Sequence, residues 1–279
     1  MNILSNFNPV DALAWQVEMG IDLCVEAEPQ ILNKEVMRRE SFVARQEESR
    51  IQNSEFGEES SGTTHNVRLA TPAPSSIAQA VADARALADA ANDLATLEAA
   101  VRNFTGCALK KTATNTVFAE GVATSRLMFI GEAPGAEEDR AGVPFCGPSG
   151  QLLNRMLRFI GLDRATNFYI TNTLFWRPPG NRQPTEEELA ICRPFVEKHI
   201  ALVDPKIIVL VGGTATKSVL NEMRGITRLR GQIFSYSNAY LSQPVPVHVI
   251  YHPSYLLRQP LAKKQCWADL LALKTALAS

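Results

Sequence analysis

Residues 129–157, FIGEAPGAEEDRAGVPFCGPSGQLLNRML, place Glu132, Phe145 and a set of glycines between the end of an apolar run and the start of an amphipathic one. Glu132 supplies an anion. Phe145 offers a flat apolar ring on which a heterocycle can stack, an interaction that contributes about 1–3 kcal/mol for a nucleobase. Gly131, Gly135, Gly147 and Gly150 permit tight turns and a close approach of backbone to a ligand. The helix start at Ser149-Gly150 leaves N–H groups suited to an anion, but GPSGQLLN lacks the Lys-Ser/Thr of a phosphate-binding P-loop. Three more polar groups end apolar runs: Asn172 after YIT, Gly212-Gly213-Thr214 after IIVLV, and His252 after HVIY. A single histidine in such a place is ordinarily structural. A carboxylate, a carboxamide, a Gly-Gly turn and an imidazole arriving independently at strand ends point instead to a ligand edge.

Those groups must be positioned by the runs they terminate. RLMFIGE (126–132), NFYITNTL (167–174), PKIIVLVGG (205–213) and VPVHVIYHP (245–253) read as strands. Between them GQLLNRMLRFIGL, TEEELAICRPFVEKHIALV and TATKSVLNEM read as helices, the second opened by the capping box Thr185-x-x-Glu188. This alternation predicts a three-layer α/β/α sandwich around a central, mainly parallel four-stranded sheet. Ahead of it, residues 75–104 are Ala-rich with helical spacing and a break near Asn92-Asp93, and VDALAWQVEMGID (10–22) reads as a short amphipathic helix. The Ser-, Glu- and Thr-rich stretch between them has too few large apolar residues to order itself. The expected organisation is a helical appendage (1–46), a disordered linker (47–75), an Ala-rich helix (76–103) and a body (104–279).

Of the 279 residues, 46% are hydrophobic, and the formal net charge is −1. That balance hides an asymmetry. Residues 1–60 hold twelve acidic and five basic side chains, a balance of −7, leaving 23 basic against 17 acidic, or +6, in the remainder. A basic body suits a polyanion, although two solvated faces of opposite sign give the same numbers. Five cysteines without a basic-then-apolar leader, and no run long enough to span a bilayer, suggest a soluble protein in a reducing, cytoplasmic setting, with no membrane partner.

Read in order, GEAPGAEEDRAGVPFCGPSGQLLN, YITNTLFWRPPGNRQPTEEELAIC, PKIIVLVGGTA, RLRGQIF and HPSYLLRQP resemble the successive motifs of the family 4 uracil-DNA glycosylases, over about residues 104–277. The resemblance implies hydrolysis of the N-glycosidic bond of uracil in DNA, initiating base-excision repair. It assigns Glu132 to activating water and balancing the sugar cation, and His252 to donating to uracil O2. Gly131, Phe145 and Asn172 would hold the base, Asn172 reading its N3–H and O4, while the loop at Glu137–Glu138 could wall off thymine's methyl. Leu256 and Leu257 would fill the space left by the extruded base, and Arg258, with Lys217, Arg228 and Arg230, would contact the backbone. Apart from the resemblance, the N-terminal helix could recruit a repair or replication protein or could equally pack back on the body.

The chain departs from that family at one place. Members usually hold a [4Fe–4S] cluster on four cysteines, and the matching positions here are Phe104, Cys107, Trp176 and Cys192. Two of four ligands are replaced by aromatics, and Cys24, Cys146 and Cys266 do not fall at matching positions. The expectation is no cluster and no other metal, with Phe104 and Trp176 as an apolar plug. Loss of a cluster could also accompany loss of activity, so a non-catalytic nucleic-acid-binding module of the same fold is the alternative.

Overall fold

The computed structural model describes residues 74–278. The expectations placed on residues 10–22 and 47–73 therefore lie outside the described residues. Helix α1 (Pro74–Ala90) starts the described chain, two residues inside the expected linker, and helix α2 (Leu94–Asn103) follows. The break between them is a cap. Asp93 accepts from the Thr96 N–H at 2.7 Å, and Thr96 Oγ1 accepts in return from the Asp93 N–H at 3.2 Å.

The body then runs β1 (Ala119–Gly121), β2 (Leu127–Gly131), α3 (Ala136–Ala141), α4 (Pro148–Arg158), β3 (Tyr169–Asn172), α5 (Glu186–Val203), β4 (Ile207–Val211), α6 (Gly213–Leu220), α7 (Ile226–Leu229), β5 (Ile233–Tyr236), β6 (Val245–Ile250), α8 (Pro253–Arg258) and α9 (Lys263–Leu277). Strands β2, β3 and β4 are buried at every residue, which is why they read as unbroken apolar runs rather than alternating ones.

The strands form one sheet in the order β1-β3-β2-β4-β6-β5. β3, β2, β4 and β6 are mutually parallel, as expected. The sheet has six strands rather than four, because β1 pairs antiparallel with β3 at one edge and β5 antiparallel with β6 at the other. Neither edge strand carries a continuous apolar run: β5 leaves Ile233 and Ser235 exposed, and β1 has three residues ending in glycine.

Successive strand residues face opposite layers. Met128, Ile130, Ile208, Leu210, Val247 and Val249 pack with Ala84, Leu97, Phe195 and Ile200 on one side. Leu127, Phe129, Val209, Val211 and Ile250 pack with Leu153, Met156, Leu270 and Leu273 on the other. Ala80, Ala84 and Ala88, spaced by one helical turn, are all buried, so small side chains let α1 lie close against α5. Among the described residues, no helix is long and apolar enough to cross a membrane.

Candidate active site

The parallel register sets Gly131 opposite Asn172 at the carboxyl ends of β2 and β3. β4 runs out into Gly212, whose N–H donates to the Ile250 carbonyl of β6 at 2.9 Å. These ends open onto a cavity of about 380 Å³ whose lining includes Glu132, Phe145, Asn172, Gly213, His252 and Arg258. Four side chains picked out by type and position in the sequence, Glu132, Phe145, Asn172 and His252, therefore meet in one place, and Gly131 lies against two of them. A Cβ on Gly131 would fall 2.3 Å from Phe145 Cζ and 2.5 Å from Asn172 Oδ1. Only glycine leaves that space between ring and carboxamide free.

Asn172 is 1% exposed, and its Oδ1 is buried without a hydrogen-bond partner. A buried acceptor left unpaired costs about 1–3 kcal/mol, a penalty that a donor on a ligand in the cavity would remove. His252 caps α8: its Nδ1 accepts from the Ser254 N–H at 3.2 Å and lies 2.8 Å from Ser254 Oγ. Burial, reinforced by the neighbouring charge of Arg258, pushes its pKa down to about 4. With Nδ1 accepting a backbone bond, the ring is neutral and carries its proton on Nε2. Gly212, at φ +96°, allows the approach, since a Cβ there would lie 2.9 Å from His252 Cβ. Burial raises the Glu132 carboxyl above its usual range, and a hydrogen bond with Thr214 pulls the other way.

The loop bearing Phe145 is braced by a carboxylate that also lines the cavity. Glu138 accepts from the Gly135 N–H at 3.1 Å through one oxygen and from the Gly147 N–H at 2.8 Å through the other. At the start of α4, a Cβ on Gly150 would lie 1.7 Å from the Phe145 carbonyl oxygen, so the helix seats directly on the loop. Glu137 instead ion-pairs with Arg140 on the exposed side of α3.

The residues expected along the nucleic acid divide. Arg258 lines the cavity, Leu257 beside it is 44% exposed, and Arg228 is exposed on α7. Lys217, on α6, is ion-paired with Glu186. Two expectations are corrected. Leu256 is fully buried in the core below α8, because the helical phase turns only one of the two adjacent leucines outward. Arg230 donates to both Asp269 oxygens, at 2.8 and 2.6 Å, and to the Gln265 carbonyl, so it braces α9 rather than standing free. Ser254, Asn181 and Arg182 also line the cavity and carried no expectation as site residues. The His-Pro-Ser cap at the end of β6 was the signal available for Ser254.

Phe104, Cys107, Trp176 and Cys192 also converge, in the core shared with α1, α2 and α5. The Phe104 and Trp176 rings stack with centroids 6.5 Å apart, and Phe104 meets Phe195 edge-on at 5.2 Å. Trp176 Nε1 donates to Thr116 Oγ1 at 3.0 Å. The two thiols share a hydrogen bond, which together with burial pushes Cys192 up. Among the described residues no three His, Cys, Asp or Glu side chains come together to hold a metal. A cubane requires four ligands, so two thiols among packed rings do not fit one.

A sequence profile described as the uracil DNA glycosylase superfamily matches residues 118–271. The chain is 40% identical over 163 residues to a type-4 uracil-DNA glycosylase of Sulfurisphaera tokodaii, covering 57% of this chain and 73% of that one. It is 38% identical over 167 residues to one of Archaeoglobus fulgidus, covering 58% and 82%, and 40% identical over 159 residues to one of Thermotoga maritima, covering 57% and 80%.

Proposed function

The chain belongs to the uracil-DNA glycosylase superfamily, and from that premise we propose that it hydrolyses the bond between uracil N1 and the deoxyribose C1′ in DNA, leaving an abasic site. The observation that carries this reading is the unpartnered Asn172 Oδ1, buried beside the Phe145 ring across Gly131.

A uracil that has left the stack enters the cavity and lies against Phe145. Asn172 Oδ1 accepts from N3–H while its amide donates to O4. Cytosine presents an acceptor at N3 and a donor at N4, so it turns both contacts into clashes. As the N1–C1′ bond lengthens, electrons move into the ring and negative charge grows on O2, where the Nε2–H of neutral His252 donates. The sugar becomes cationic, and the Glu132 carboxylate faces it, taking a proton from the water that attacks C1′. Desolvation of Glu132 makes it a stronger base than an exposed carboxylate. Leu257 and Arg258 are the apolar and cationic groups at the mouth that meet the vacated stack and the backbone.

The chemistry needs no metal from this chain. The two thiols and two rings at the family's cluster position make an apolar plug, and the reading includes no [4Fe–4S] cluster there. Anaerobically purified protein is expected to lack iron and absorbance near 400 nm; a stoichiometric cluster would reverse this. A reducing, cytoplasmic compartment fits the free cysteines among the described residues. Residues 10–22 are the segment through which a repair or replication protein would recruit the enzyme.

The decisive experiment uses an oligonucleotide with one uracil, scored for abasic sites by alkaline cleavage beside thymine and cytosine controls. Cleavage at uracil alone, slowed about 100-fold by Asn172→Ala, is the expected result, since two buried contacts to the base are lost. Salt-sensitive DNA binding without cleavage would make the same residues a non-catalytic binding site.

A further inference from the structure

We propose that Arg164, in the loop between α4 and β3, is the positioning residue that holds the Phe145 platform in place. The inference rests on the reading of Phe145 as the surface against which the base stacks. Phe145 has φ +52°, a left-handed conformation that a bulky residue adopts only when its surroundings impose it. The Arg164 guanidinium supplies that constraint. One terminal nitrogen donates to the Pro144 carbonyl at 2.8 Å, and the other donates to the Phe145 carbonyl at 2.9 Å. The two carbonyls lie on either side of the Phe145 α-carbon, so a rigid, planar fork gripping both fixes the two peptide planes that set its φ and ψ.

The fork is itself held. Asn154 of α4 accepts from it at 3.2 Å, and Glu120 of the edge strand β1 forms an ion pair with it. Only Nε is buried without an acceptor. The Arg164 side chain is 13% exposed and is absent from the cavity lining, so it touches no ligand there and acts through Phe145. This also gives β1 a task. The antiparallel edge strand places a carboxylate where it orients the guanidinium, linking the outer edge of the sheet to the base platform. A lysine offers a point charge without the two-pronged geometry, so the requirement is for arginine.

The test compares single-turnover uracil excision by the full chain and its Arg164→Gln, Phe145→Ala and doubly substituted variants. Arg164→Gln is expected to slow excision about 10- to 100-fold, the scale of a small misplacement in a catalytic site. The double variant should be no slower than Phe145→Ala, because the arginine has nothing left to position. Glu120→Gln, which leaves the guanidinium buried, should show a smaller loss that Phe145→Ala likewise absorbs. Hydrogen–deuterium exchange supplies a readout free of activity: uptake over residues 143–150 should rise in Arg164→Gln while β4 stays protected. Losses that multiply, or an Arg164→Gln enzyme with wild-type rate and wild-type loop exchange, would overturn the proposal. If the wild-type chain excises no uracil, the functional reading falls, and the exchange result alone decides whether Arg164 holds the loop.

Discussion

At Glu132 burial serves the function and costs stability at neutral pH. Desolvation raises the carboxyl's pKa while the hydrogen bond with Thr214 pulls partway back. A folded-state pKa above the unfolded value means that the fold retains the proton after the unfolded chain has lost it. Stability therefore declines as pH rises from the ordinary carboxyl range through the folded pKa. Glu132→Gln keeps an acceptor for Thr214 and removes the buried charge. The variant is expected to melt about 2 °C higher at pH 7.5, with the advantage vanishing near pH 4, while excision falls at least 100-fold. Calorimetry at the two pH values beside the oligonucleotide assay measures both; a variant that melts lower at pH 7.5 would contradict the account. The same shift sets the acid limb of the rate profile, above the usual carboxyl range. His252, neutral down to about pH 4, should add no limb between pH 5 and 8, so a single ionisation on the acid side is expected. The sequence could indicate Glu132 and His252 because each ends an apolar run. It could not indicate the tautomer of His252, which depends on the Ser254 amide brought to Nδ1 by the first turn of α8.

At the scale of elements, legibility followed burial. β2, β3 and β4, buried at every residue, announce themselves as nearly unbroken apolar runs, β6 shows through its valines and Ile250 although Pro246 is exposed, and Asn172 and His252 are placed by where β3 and β6 stop. β1 and β5 are invisible to that criterion: they owe their pairing to a neighbour's free edge, not to their own hydrophobicity. The misplacement of Leu256 and Arg230 has a related origin. Adjacent leucines on a six-residue helix look equivalent until the packing phase is known, and a cation looks free until the acidic residue of a distant helix is set against it. The packing of Phe104 and Trp176 was legible only through the family resemblance that marked those positions, where neither a phenyl nor an indole ring offers a ligand to iron. Its energetic role follows from the contacts. Trp176 is 1% exposed, stacks on Phe104 and meets Phe175 edge-on. Trp176→Ala should destabilise the fold by about 3–5 kcal/mol through the cavity left beside the two thiols. Urea unfolding followed by circular dichroism measures this; a loss below about 1 kcal/mol would mean that the rings merely occupy space that the surrounding helices could close.

For the whole molecule, charge distribution decides how DNA is met. The segment of residues 1–60 carries −7 and the rest of the chain +6. Much of the body's positive charge is internally committed: Arg85 to Glu197, Arg164 to Glu120, Arg182 to Glu188 and Arg230 to Asp269. Arg228 and Arg258 are exposed to solvent, and Arg258 also reaches the cavity. Each cation that neutralises a phosphate adds about 0.9 to the slope of log K against log salt concentration. Replacing Arg228 by glutamine should therefore weaken binding and lower that slope by about one, leaving the choice of uracil over thymine or cytosine unchanged. We propose that the negative charge of residues 1–60 opposes DNA binding, an effect that salt screens beyond a Debye length, about 8 Å at physiological salt. Deleting residues 1–60 should tighten DNA binding at 50 mM salt, steepen its salt dependence and leave the single-turnover excision rate unchanged, with the two proteins converging near 0.5 M as screening removes the difference. Fluorescence anisotropy across that range measures the binding. Weaker binding of the shortened chain at low salt would mean that residues 1–60 contribute contacts to the DNA instead of opposing them.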